Sequence, residues 1–203
     1  EDYICKLIRE DSIVNFISYV TKNNINLNSN IKLSIYETNH FPKIEVEDDE
    51  YYAEDRKVKL IEYAAFFGSL QVFNYLKMNE AKLTPFLWQF AIHGNNPDII
   101  HLLEDLHVEI ESNDLLFKEA LKCHHNDIAK YFMYNFLPTG DSTLENEFNK
   151  SIKYYNFDFW EEKFVNESNF AYLCMYDYYL FADLLMKNKC IDINKPLIEN
   201  ENS

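Results

Sequence analysis

Apolar residues in this chain fall into pairs of short helical stripes, and between Leu60 and Phe132 the pairing recurs in register. LIEYAAFFGSLQVFNYL (60–76), LWQFAIHGNNPDIIHLL (87–103) and LFKEALKCHHNDIAKYF (116–132) align on Ala64, Ala91 and Ala120, spaced 27 and then 29 residues apart. In the first copy Leu60, Ile61, Ala64 and Ala65 lie on one face of a helix, and Val72, Phe73, Tyr75 and Leu76 make the stripe of a second. Gly68 separates them, since glycine takes the left-handed conformation after a last helical turn at little cost. The second copy is punctuated by Thr84–Pro85 and Asn96–Pro97–Asp98, each an N-cap followed by a first-turn proline. Asp98 and Asp127 stand in the first turns of their helices, where the helix dipole favours an acid.

Two helices this short cannot bury their apolar stripes alone, so self-similarity at this period predicts a stacked array of helix pairs. The alanine slot stays small so that neighbouring first helices can approach closely. The pairs Tyr75–Leu76, Leu102–Leu103 and Tyr131–Phe132 stay in register and are expected inside, Leu102 included. Away from this core the pattern weakens. Residues 1–27 read as an N-terminal capping repeat, with Ile4, Leu7 and Ile8 in one stripe, Asp11–Ser12 as cap, and Ile13, Val14, Phe16 and Ile17 in the next. Arg9, Glu10 and Asp11 would give it a polar outer face. Residues 28–57 form an acidic insertion, with a helical turn over 31–36 and an exposed loop over 39–56. Residues 58–140 hold the three clear repeats, 141–197 two weaker C-terminal ones, and 198–203 a polar tail. In the weaker copies Ser151 takes the alanine position and Leu173, Cys174, Phe181, Ala182, Leu184 and Leu185 carry the apolar pattern.

Short extended connectors follow several pairs: EAKLT (80–84), HVEIE (107–111), NINLN (24–28) and CIDIN (190–194). With them the chain resembles ankyrin repeats, strongly over 58–135. Tyr63-Ala64-Ala65-Phe66-Phe67-Gly68 is similar to the ankyrin Leu-Ala-Ala-x-x-Gly. Ile99-Ile100-His101-Leu102-Leu103 resembles Ile-Val-x-x-Leu-Leu, and Cys190-Ile191-Asp192-Ile193-Asn194 resembles Gly-Ala-Asp-Val-Asn. The wording is closer still to a divergent ankyrin-like family expanded in protists. Thr-Pro-Leu-His has no intact counterpart, since the first copy carries Lys59-Leu60-Ile61-Glu62, and the three glycines of the chain predict short connector fingers. The resemblance implies an all-α solenoid of helix-turn-helix repeats in one domain over 1–203. It also implies a concave face lined by the two slots after the alanine pair.

That face supplies the candidate partner-binding residues: Phe66, Phe67, His93 and Lys122, followed by Lys153, Tyr154, Met175 and Tyr176. Phenylalanine and tyrosine in such slots suit a protein interface. The resemblance implies a non-catalytic protein–protein interaction scaffold. Its rivals are a structural subunit of a larger cytoskeletal or multi-protein assembly, or a regulatory module of a catalytic domain outside this sequence.

Charge narrows the partners. The chain has 203 residues, 19 Lys and Arg against 34 Asp and Glu, and a formal charge of −15. A phosphate backbone needs clustered cations, so nucleic acid is not expected, and an anionic membrane surface is disfavoured on the same ground. A partner protein with a basic surface is compatible. No stretch is long and apolar enough to span a bilayer. Cys5, Cys123, Cys174 and Cys190 are widely spaced, which points to free, buried thiols in a reducing, cytoplasmic setting. The sequence opens on Glu1 without Met, so it is expected to be an excerpt.

Candidate chemistry is thin. Cys123–His124–His125 is a possible metal cluster by residue type, but neighbours on a helix point apart and polar turn residues account for them. His107 reads as a turn residue, and Glu104–Asp105 as a solvated pair. No nucleophile elbow or phosphate-cradling loop is present. No catalytic residue, metal, cofactor or small-molecule substrate is therefore expected.

Overall fold

The computed structural model describes residues 2–31, 57–138, 140–159 and 166–188, without the side chains of 141–144, 167–169 and 188. Most of the acidic insertion, Trp160, the connector CIDIN and the tail lie outside the described residues. The described chain is all-α, with eleven helices and no strand among those residues. An isolated antiparallel bridge joins Asn30 to Lys59. The chain divides into two compact units, residues 1–133 and 134–203.

The first unit is built from helix pairs. They are α1 (Tyr3–Arg9) with α2 (Ile13–Lys22), α3 (Leu60–Phe66) with α4 (Leu70–Met78), α5 (Leu87–Gly94) with α6 (Pro97–Asp105), and α7 (Asn113–Lys122) with α8 (Asn126–Phe136). First helices pack in chain order, α1 on α3, α3 on α5 and α5 on α7, while α2 packs on α4 and α4 on α6. Ala64, Ala91 and Ala120 are fully buried in the first-helix row. Gly94 shows why small residues are needed there, because a Cβ on it would run into the carbonyl oxygen of Ala65.

The turns share one backbone solution. Four residues after each buried key position Leu7, Ala64, Ala91 and Ala120, the chain turns left-handed at Asp11, Gly68, Asn95 and His124, with φ of 45°, 64°, 48° and 56°. Asn, Asp and His tolerate this region better than most residues, which is why three of the four need no glycine. The amide one residue on closes back onto the key carbonyl. Ser12 N donates to Leu7 O at 3.0 Å, Ser69 N to Ala64 O at 2.9 Å and His125 N to Ala120 O at 3.0 Å. Second helices end alike, with Asn24, Glu80 and His107 left-handed.

Side chains at these turns reach the neighbouring pairs. Asp11 accepts from the amides of Gln71 and Val72 at 3.0 and 2.9 Å, so it caps α4 instead of its own α2. Ser69 Oγ donates to Ile8 O at 2.6 Å, and Asn96 Nδ2 to Gly68 O at 2.9 Å. Arg9 donates to the Tyr63 hydroxyl at 2.8 Å. Arg9 and Asp11 therefore join pairs together and do not serve as an outer cap face.

Several local expectations shift. Helix α5 begins at Leu87, two residues later than a Thr84 cap would give, and Thr84 Oγ1 instead donates to buried Glu62 at 3.2 Å. Glu62 also takes the Lys59 amide at 2.9 Å, so this acid replaces the missing Thr-Pro-Leu-His chemistry. Asn96 caps α6 as expected, its Oδ1 accepting from Asp98 N at 3.0 Å. Within the apolar pairs Leu76, Leu103 and Phe132 are fully buried, whereas Tyr75, Leu102 and Tyr131 are only half-buried. In α2, Phe16 and Val20 carry the core while Val14 and Ile17 are exposed, because the buried stripe runs along a different face.

The second unit holds α9 (Asp141–Lys153), a 3-10 turn Phe157–Phe159, α10 (Glu167–Met175) and α11 (Tyr179–Asn188). Phe148, Ile152, Leu173 and Tyr178 form its core, with Phe157, Tyr176, Phe181 and Leu185 packed against it. Ser151 is buried at the alanine position, and Tyr155 and Asp177 repeat the left-handed turn four residues after Ser151 and Leu173. Cys174 and Leu184, expected in the apolar stripe, are exposed.

Candidate functional site: a ridge along the first helices

Because α3, α5 and α7 pack in order, the slot two residues after each key alanine brings Phe66, His93 and Lys122 into one line. The Phe66 ring stacks on the His93 ring, centroids 5.1 Å apart and 22° from parallel. His93 Nε2 lies 2.6 Å from Glu119 Oε1, and Lys122 Nζ reaches Glu119 Oε2 at 3.5 Å. At the other end Phe67 meets Phe66 edge-on at 5.1 Å, and the Arg9 guanidinium sits 5.7 Å from the Phe67 ring centre. The result is a continuous strip of side chains: Arg9, Phe67, Phe66, His93, Glu119 and Lys122. Phe66, Phe67, His93 and Lys122 are all half-buried. Each ring leans on a neighbour while keeping one face or edge in water.

The polar end has a definite electrostatic order. Burial alone would raise the Glu119 pKa. The hydrogen bond from His93 and the charges of Lys122 and His93 outweigh it, and the net direction is down from the ordinary 4.5. Glu119 accepts from Nε2–H, and in the neutral form of such a ring the Nδ1 lone pair lies on the far side. Cys123 Sγ lies 3.6 Å from that Nδ1. Burial, then the Glu119 charge, push the Cys123 thiol from 9.0 up to about 12. Carboxylate, imidazole and thiol thus stand in the order of a nucleophile relay, but the thiol is held protonated and is a weak nucleophile. His125 closes the cluster beneath, its Nε2 3.3 Å from His93 O. Burial, with the nearby His93 and His124, lowers its pKa.

On the second helices Glu104 accepts a short hydrogen bond from the Tyr131 hydroxyl and pairs with His101 Nδ1 at 3.1 Å. Burial and Glu104 push Tyr131 up to about 12. Glu104, expected on a solvated face, is thus half-buried and engaged. His107 is an exposed left-handed turn residue, as expected.

The other four named residues lie in the second unit. The Lys153 ammonium sits 5.5 Å from the Tyr154 ring centre. Tyr176 stacks on Tyr172 at 6.4 Å, and Met175 is 71% exposed. Sequence reasoning singles out Cys123 but misses Glu119, although their i, i+4 spacing along α7 and its C-cap places them on one face. Of the run Cys123, His124 and His125, Cys123 meets the His93 ring and His125 the His93 carbonyl. No family model matches this chain, and no curated protein or solved structure matches it.

Proposed function

We propose that the chain is an ankyrin-like repeat scaffold. It would bind a partner protein, without catalysis, through the first-helix ridge and the adjoining connector edge. The observation that carries this is the strip itself: successive first helices each contribute a half-exposed side chain, and those side chains stack or pair from one helix to the next. Phe66 and Phe67 offer aromatic edges already fixed by neighbours, so little side-chain freedom is lost on binding. Arg9 and Lys122 flank them with charge, and the net charge of −15 favours a partner whose own surface is basic.

The test is crosslinking with mass spectrometry in native extract, comparing the unaltered chain with the double variant Phe66→Ala, Phe67→Ala. Crosslinks from Lys122 to one recurrent protein should drop at least tenfold in the variant while far-UV circular dichroism keeps its helical signal. Crosslinks undiminished in a folded variant would refute the ridge, and loss of helical signal would make the two rings core residues.

A further inference from the structure

We propose that the turn end of the ridge is a binding site for a zinc-class divalent cation, with Cys123 Sγ and His93 Nδ1 as ligands and Glu119 as the carboxylate that orients the imidazole. This goes beyond the scaffold function and does not depend on it. A tetrahedral ion with bonds of about 2.3 Å to sulfur and about 2.05 Å to nitrogen holds those two atoms about 3.5 Å apart. The Sγ to Nδ1 separation is 3.6 Å. On the opposite side of the ring, Glu119 Oε1 is 2.6 Å from Nε2. That is the carboxylate–histidine arrangement which fixes the tautomer of a metal-bound imidazole and raises its basicity. One potential ligand atom from each of His93, Glu119 and Cys123 lies within 4.8 Å of the other two, so the carboxylate charge stays beside the ion.

The donor set selects the metal. A thiolate and an imidazole favour zinc, cobalt or copper(I) over magnesium or calcium, whose sites are built from oxygen. All three side chains are half-buried, which leaves the remaining coordination positions to water. Binding converts the Cys123 thiol to thiolate and releases its proton to solvent, one per ion. His93 keeps its Nε2 hydrogen on Glu119 throughout. The fold brings the ligands together from different elements: Cys123 from the end of α7, His93 from the last turn of α5.

Cobalt(II) titration of the full chain reads this directly. A thiolate-to-cobalt charge-transfer band should saturate at one ion per chain, disappear on adding zinc, and be accompanied by proton release. Cys123→Ser, with the other cysteines retained, should abolish the band while keeping the helical dichroism. Glu119→Gln should weaken binding by about 10- to 100-fold, and His93→Gln by at least as much. No band in the unaltered chain would overturn the site. So would the same band in Cys123→Ser, because the ion would then sit on another cysteine. Should Cys123→Ser fail to fold, unchanged affinity in both His93→Gln and Glu119→Gln would overturn it equally.

Discussion

At the scale of single residues, Glu119 carries the clearest solution signature. Its native pKa lies below the ordinary value of 4.5, so its ionised form stabilises the folded state. That contribution is complete above about pH 4.5 and is lost as pH falls through the lower native value. Urea midpoints measured from pH 6 to pH 3 should therefore fall more steeply in the unaltered chain than in Glu119→Gln. The thiols make a second case. Cys174 is exposed, Cys5 is buried, and the Cys123 thiol is pushed up to about 12. Alkylation at pH 8 followed by mass spectrometry should label Cys174 first among these three, with Cys123 slower by at least tenfold. Composition had pointed to buried thiols throughout. Exposure of a particular cysteine depends on which face of α10 finds a partner, and spacing alone does not say that.

At the scale of the element, periodicity located the helices better than it ranked their buried residues. The buried alanines and the Asn96 cap were legible because each is a local decision: a small residue where helices cross, a carboxamide before a proline. Leu102 and Leu103 were not separable in that way. Both fall in the apolar stripe, and only the packing of α6 against α4 and α5 buries Leu103 and leaves Leu102 half-exposed. Leu103→Ala should cost about 2–5 kcal/mol. Leu102→Ala should cost clearly less, because its half-exposed side chain leaves a smaller cavity. Chemical denaturation of the two variants side by side checks the ordering. The site was legible to the same degree. Phe66, His93 and Lys122 follow from the repeat register, whereas pairing His93 with Glu119 and Cys123 required the packing of α5 against α7.

At the scale of the whole molecule, each compact unit reuses one turn geometry. That repetition was hidden in the sequence because Asp11, Asn95, His124, Tyr155 and Asp177 share a backbone conformation while their side chains range from carboxylate and carboxamide to imidazole and phenol. Among these turn slots only Gly68 is a glycine. What identifies the slot is its distance from the buried key residue, a count that becomes visible only once the key residue is known. The links between pairs are polar as well as apolar, and Asp11 is the sharpest of them. Asp11→Ala removes the acceptor for two amides of α4 and should cost about 0.5–2 kcal/mol. Amide hydrogen exchange should speed up at Gln71 and Val72, which belong to the next pair, and change little in α2.

These cross-pair contacts run both ways along the row. Asp11 serves α4 of the next pair, while Ser69 reaches back to Ile8 and Asn96 to Gly68, so neighbouring pairs finish one another. Deleting the first pair would strip the amides of Gln71 and Val72 of the Asp11 carboxylate, and trimming from the other end of the first unit would take from the Gly68 and Ile8 carbonyls the donors Asn96 and Ser69. The first unit thus has no end from which a pair can be removed without exposing a polar group of its neighbour.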